Sequence, residues 1–216
     1  MENKLSVSRY KNLNKRTLKV TRFKKIAYTL KGIFPKNNII GKRVLLRSPR
    51  RRDWRQWVKL RINSYDYLKK WEPYWDINKC NKSSYIRQLR LQRTRAAYDQ
   101  AYTFLCFDKE DKTLLGGINI SNIERGVMQT ANIGYWLGKD FISKGYMYES
   151  INILFPYIFN EIKLNRVQAY TLEENISSRK LLEKLGFKKE GILRKSMKIN
   201  NFWKDHILYA KIHNDN

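Results

Sequence analysis

Across the first 37 residues, apolar side chains are scattered singly among lysines, arginines and asparagines, and the stretch closes on Gly32, Pro35, Asn37 and Asn38. Neither a helical nor a strand period holds there, so residues 1–37 read as a flexible basic arm and residues 38–216 as the folded domain. The pattern sharpens from Ile39. Residues 43–47 predict a strand, and Trp54, Trp57, Val58 and Arg61 fall at helical spacing over 53–62, with Asp53 as the N-cap. After an aromatic loop at 68–76, Ser83 or Ser84 opens a longer helix that runs to about residue 99. Strands at 102–107 and 114–121 flank the polar turn Asp108-Lys109-Glu110-Asp111 and predict a hairpin, and a third strand at 130–137 follows Arg125-Gly126. Residues 145–161 place Met147, Ile151, Leu154, Phe155 and Ile158 on one helical face; Pro156 lacks an N–H, which predicts a kink or an early end. A strand at 166–172, a helix at 177–185 closed by Gly186, and a final pair of strands from Phe187 complete an α+β order with no internal repeat.

Composition changes this picture in one respect. With 42% hydrophobic residues in 216, there is ample material for one core. The formal charge, however, is +26, and 18 of the 45 Lys and Arg lie in residues 1–55 against only Glu2 and Asp53. A field of one sign on this scale draws polyanions such as nucleic acid or acidic membrane surfaces, although charge also serves solubility alone. The acid-poor arm has the composition of a transit peptide as well as that of a polyanion-binding tail. Cys106 sits inside the apolar stretch AYTFLCF, as a buried free thiol does, and Cys80 lies in an unrelated context, so a disulfide framework or zinc site is not expected. His206 and His213 are too isolated for a metal cluster. Without a run of about 20 apolar residues or a signal-peptide core, the chain is expected to be cytoplasmic, with no membrane insertion.

Candidate chemistry concentrates where the strand NIGYWLGKD meets the helix near Gly145, across the loop FISKGYM. A glycine at a helix mouth lets main chain approach an anion, and unpaired N–H groups with the helix dipole hold a phosphate there; a plain turn uses the same glycine. The segments ANIGYWLGKDFISKGYMYES, LNRVQAY, ENISSRKLLEKLGFKKEGILR and NNFWKDHILY resemble, in order and spacing, the GNAT N-acetyltransferases. Within that superfamily the resemblance is to the RimJ/RimL branch, which acetylates ribosomal-protein N-termini; LKKWEP and INISNIERG extend it back to about residue 43.

The resemblance implies a mixed central sheet of about seven strands flanked by about four helices, and acetyl-CoA as cosubstrate without a metal. The family's diphosphate loop falls on Ile142, Ser143, Lys144, Gly145, Tyr146 and Met147. Only Gly145 keeps the general motif, and Lys144 adds a charge toward the phosphates. Gly134, Tyr135, Trp136 and Leu137 fall on the strand that splays around a bulge and pairs with the pantetheine arm; an amide there would hold the oxyanion. Asn175 and Ser178 match an N-x-x-S feature, with Asn175 near the arm and Ser178 hydrogen-bonded to the departing thiolate. A helix start needs Asn and Ser as caps in any case. Leu182 occupies the position of many relatives' acidic tyrosine, and Met197 that of an acid in some RimL-like chains.

Trp71 and Glu72 fall on the loop that walls the acceptor groove, and Asp205 lies near a matched segment on the substrate side. Glu72, Glu149, Glu174 and Asp205 are the candidate bases. An α-amino group with a pKa of about 7.7–8.0 needs less help to lose its proton than lysine at about 10.4. The expected reaction is therefore direct acetyl transfer to the N-terminal alanine or serine of a ribosomal protein, by a monomer or homodimer whose basic arm contacts ribosomal RNA. The alternatives are a small-amine acetyltransferase and a non-catalytic RNA-associated protein with the same fold.

Overall fold

The computed structural model describes residues 38–215, so the arm at 1–37 and the questions it raises lie outside the described residues. Eight strands form one sheet: β1 (Ile39–Ile40), β2 (Val44–Arg47), β3 (Ala101–Asp108), β4 (Leu114–Glu124), β5 (Thr130–Leu137), β6 (Arg166–Thr171), β7 (Lys188–Ile199) and β8 (Phe202–Ile212). Five α-helices accompany it: α1 (Trp54–Asn63), α2 (Tyr65–Leu68), α3 (Lys82–Ala97), α4 (Tyr146–Pro156) and α5 (Ile176–Lys184). The sheet order is β1-β2-β3-β4-β5-β6-β8-β7. Every neighbouring pair is antiparallel except β5 and β6. The additional strand is the two-residue β1, too short to leave a period in the sequence, and α2 is a single turn between the helix predicted at 53–62 and the aromatic loop.

Alternation along the strands sorts the core. Leu46, Phe104, Cys106, Ile118 and Ile120 pack with Met147, Ile151 and Leu154 of α4, while Leu45, Leu105 and Phe107 meet Trp57 and Leu60 of α1. The helical face predicted at Met147, Ile151, Leu154 and Ile158 is the one that packs on the sheet, and alternation along the strands sends neighbouring residues to opposite layers. The Cys106 thiol is buried, is pushed up to about 11 by loss of solvation, and contacts Ser150 Oγ at 2.9 Å; both cysteines are free. After Pro156 removes one helical donor, the chain widens into a π turn at Tyr157–Glu161, closed by Ile162 N–H donating to Tyr157 O at 2.9 Å.

Local details differ from the sequence reading at several points. Helix α3 begins at Lys82 with Asn81 as its cap, accepting from Ser84 N–H, because Asn competes as well as Ser for that position. Asp53 does not cap α1: its carboxylate takes both Arg47 guanidinium nitrogens at 2.7 Å and the Arg50 N–H at 2.7 Å. The bulge next to β5 is in β4, where register shifts between Ser121 and Glu124 and Asn122 adopts φ 51°; β5 itself pairs regularly from Asn132 to Leu137. Among the described residues, no helix is long and apolar enough to cross a membrane.

Candidate active site

Strands β5 and β6 hold together over only three pairs, Thr130–Arg166, Ala131–Val167 and Asn132–Gln168. Beyond them β5 stays on β4 as far as Leu137 and β6 stays on β8 as far as Thr171, so the two part and a cavity of about 710 Å³ opens between them. That size suits a small-molecule site. Ladder parity fixes which main-chain groups face the gap. Gly138 N–H donates to Leu115 O, placing even-numbered β5 residues in bonded pairs with β4 and turning the main-chain groups of Tyr135 and Leu137 toward the opening.

At one end of the gap lies the start of α4. Gly145 precedes the helix at φ 82° and ψ 0°, and among the described residues no side chain caps it, so the first-turn N–H groups have no partner among them. Ser143 also has positive φ, 58°, which curls the loop so that Ile142, Ser143, Gly145 and Met147 all line the cavity. Arg43, unremarked in the sequence, reaches this loop. Its Nη1 donates to Lys144 O at 3.1 Å and its guanidinium lies 4.8 Å from the Tyr146 ring centre. Glu149 holds Arg43 there, accepting from its N–H at 2.7 Å and its Nε at 3.0 Å. Burial raises the Glu149 carboxyl, but those hydrogen bonds and the Arg43 charge outweigh it and leave the group below its ordinary value. Unpaired N–H groups, a helix dipole and one guanidinium together fit a diphosphate.

Midway along the gap, Tyr135 OH and Ser178 Oγ are 2.8 Å apart. Burial pushes the tyrosine hydroxyl well above its ordinary range, so it stays protonated and can donate to Ser178. Asn175 caps α5, its side-chain oxygen accepting from Ser178 N–H at 3.1 Å, and both residues line the cavity. Trp136 points to the opposite face, where it packs beside Gly117; a Cβ on that glycine would come within 2.9 Å of the indole nitrogen. Leu182 is fully buried and belongs to the core.

The other end is walled by α2 and the loop after it. Arg61 and Glu72 form a bidentate pair at 2.7 and 2.6 Å, Trp75 Nε1 donates to Glu72 at 3.0 Å, and the guanidinium lies against Trp75 and Trp136 at 4.4 and 5.0 Å from their ring centres. Trp71 lines the cavity, and its indole N–H is buried with no partner among the described residues. The β7–β8 hairpin closes over this end, Asn200 N–H donating to Glu72 O at 3.2 Å.

Of the residues singled out in the sequence, Trp71, Glu72, Gly134, Tyr135, Trp136, Leu137, Ile142, Ser143, Gly145, Met147, Asn175 and Ser178 converge on one cavity. Lys144, Tyr146 and Asp205 are not part of its lining; Asp205 is exposed and accepts from Lys195 N–H at 2.7 Å. Sequence reasoning missed His206, which is 3% exposed and lines the cavity, and nothing in its local pattern marked it out. Among the described residues no group of three His, Cys, Asp or Glu side chains is placed to hold a metal ion.

A sheet parted at one parallel pair, with an open helix start at the mouth of the opening, can admit an extended ligand that carries an anionic group at one end. Residues 43–188 match the acetyltransferase (GNAT) domain family, and the chain belongs to it. It is an N-acetyltransferase.

Among its relatives is the ribosomal protein uS5-alanine N-acetyltransferase of Escherichia coli K12, 30% identical over 176 residues, covering 82% of this chain and 91% of the relative. The probable N-acetyltransferase YjcK of Bacillus subtilis is 38% identical over 144 residues, covering 67% of this chain and 77% of that one. A ribosomal-protein-S5-alanine acetyltransferase from Vibrio fischeri superposes with a TM-score of 0.77 at 27% identity, covering 83% and 98% of the two chains. RimJ from Mycobacterium smegmatis, in complex with CoA-disulfide, gives 0.75 at 27% identity over 78% and 81%.

Proposed function

We propose that this enzyme transfers acetyl from acetyl-CoA to the N-terminal amine of a ribosomal protein. The observation that carries this reading is the single cavity running from the open start of α4, past Tyr135 and Ser178, to the Trp71–Glu72 wall, so that thioester and amine meet from opposite ends. The names of the E. coli and V. fischeri relatives support the acceptor, and the CoA bound in the M. smegmatis structure supports the donor.

At the α4 end, first-turn N–H groups and Arg43 receive the diphosphate, while the main-chain groups of Tyr135 and Leu137 pair with the amide-bearing arm. The amine nitrogen attacks the thioester carbon, the new C–N bond forms, and charge gathers on the carbonyl oxygen, where a β5 N–H stabilises it. The C–S bond then breaks. Ser178 donates a hydrogen bond to the leaving thiolate while Tyr135 donates to Ser178, a chain of two donors aimed at the developing negative charge. The unpartnered Trp71 indole N–H is a ready donor for a carbonyl of the acceptor peptide.

Helix α3 supplies a surface suited to ribosomal RNA in addition to the arm. Arg87, Arg90, Arg93 and Arg95 are exposed on it, and no acidic residue occurs between Asp76 and Asp99. Such contacts weaken steeply with salt.

Incubating purified ribosomal proteins with acetyl-CoA and enzyme should add one acetyl group, about 42 Da, to the N-terminus of one of them, localised by peptide mass spectrometry. Acetylation confined to lysines or to small amines would overturn the acceptor assignment. Ser178→Ala should lower kcat by about 10²-fold with little change in acetyl-CoA affinity, and Tyr135→Phe by roughly tenfold, since it removes only the second donor. Steady-state kinetics beside calorimetry separates the two quantities; a Ser178→Ala enzyme with undiminished kcat would remove the serine from the mechanism.

A further inference from the structure

Attack by an amine on a thioester needs a proton acceptor on the acceptor side of the gap, and the carboxylates near it are already committed. Glu72 gives both oxygens to Arg61 and also accepts from Trp75. Glu149 grips Arg43 outside the cavity lining. Asp205 and Glu174 are exposed, outside that lining, and face Lys195 N–H and Lys204 respectively. Of the ionisable groups that do line the cavity, Lys180 and Lys184 on α5 carry side chains that donate and do not accept. Tyr135 and Tyr170 are hydrogen-bonded to Ser178 and Gln168, and Tyr67 and Tyr148 are phenols, which serve as donors. The remaining group is His206 on β8.

Its hydrogen bonds define what it can do. His206 Nδ1 is 3.1 Å from Lys204 O and 3.2 Å from Ser196 Oγ. A carbonyl only accepts, so the neutral ring carries its proton on Nδ1, and the lone pair is left on Nε2, which has no partner among the described residues. His206 is nearly buried and lines the cavity, which is the open space beside it.

We infer that His206 is the general base: its Nε2 removes the proton from the attacking nitrogen as that nitrogen bonds to the thioester carbon. One N–H bond breaks and its proton resides on the imidazole, the C–N bond forms, and the C–S bond releases its electron pair to the thiolate that Ser178 stabilises. The imidazolium, held by Lys204 O and Ser196, afterwards returns its proton to water. This inference rests on the acetyl-transfer reading above and assigns the step that the reading leaves open.

The test uses the full-length enzyme and two variants, His206→Asn and His206→Gln. Asn keeps an amide donor near the Nδ1 position for Lys204 O while removing the base, so a purely structural role survives that change. Expected for His206→Asn is a fall in kcat/KM of about 10²-fold at pH 7, unchanged acetyl-CoA binding by calorimetry, and a profile that rises with pH in place of the wild-type plateau. An acceptor peptide with a less basic amine should recover much of the loss. Activity within threefold of wild type, with the same pH profile, overturns the assignment. Should neither variant fold, the wild type decides: an acidic limb of kcat/KM that stays in place when the acceptor amine is made less basic belongs to the enzyme, whereas one that moves fully with the amine overturns the proposal. A wild-type enzyme that binds acetyl-CoA but acetylates no amine would overturn the proposed function first, a result distinct from either of these.

Discussion

Gly145→Glu is expected to weaken acetyl-CoA binding by at least about 100-fold, the sum of three effects acting at one position. The residue sits at φ 82°, in the left-handed region that costs an L-residue about 1–2 kcal/mol. A Cβ there comes within 3.2 Å of Arg43 Nη2, so the new side chain grows toward the guanidinium proposed to face the diphosphate. The carboxylate then neutralises that cation and opposes the incoming phosphates, in place of a site where unpaired N–H groups and the dipole favour an anion. Gly145→Ala carries the first two effects without the charge and should lose only roughly tenfold. Isothermal calorimetry with CoA reads both variants, and circular dichroism checks that they fold. Near-wild-type affinity in the glutamate variant would mean that the diphosphate is not held at the start of α4.

Glu72→Gln is expected to lower stability by about 3 kcal/mol, because the Arg61 guanidinium it neutralises is only 11% exposed and lies among tryptophans. For a chain of this size the change corresponds to a fall in Tm of roughly 6–12 °C. Since the same pair anchors the loop carrying Trp71 and Trp75, the KM for the acceptor should rise while acetyl-CoA binding persists. Replacing both partners with apolar residues, as in Arg61→Met with Glu72→Leu, should recover part of the lost stability, since an uncompensated buried cation costs more than an absent pair. Thermal melts of the three variants are the measurement. A Glu72→Gln protein with an unchanged Tm and abolished turnover would make Glu72 part of the chemistry and displace His206 from the role assigned to it.

Both experiments probe the two ends of one cavity, and each end is made differently. The α4 end is local: a glycine, a helix start and the loop before it follow one another in the chain. The acceptor end is assembled from α1, the loop after α2, and the β7–β8 hairpin, whose Asn200 N–H bonds Glu72 O.

That contrast also separates what could be read in the sequence from what could not. Hydrophobic periodicity located β3 to β6, α4 and α5, because the apolar face of a strand or helix is written in its own residues. Gly145 ahead of an apolar helix, and Asn175 three residues before Ser178, were visible for the same reason. Missing were features in which a side chain's role depends on a distant partner. With 45 basic and 19 acidic residues, nothing local says that Arg43 meets Glu149, 106 residues away, or that Asp53 turns back to Arg47 instead of capping α1. His206 looked like any polar position on a strand until β8 was seen to lie beside β6, with that ring at the cavity wall. The sequence by itself determined the longer elements, their apolar faces and the glycine that opens α4, which are short-range matters of period and backbone conformation. Only the tertiary structure decided where β5 and β6 stop pairing, and with that the cavity, its far wall and its ionisable lining, because these follow from register and long-range contacts that no local pattern encodes.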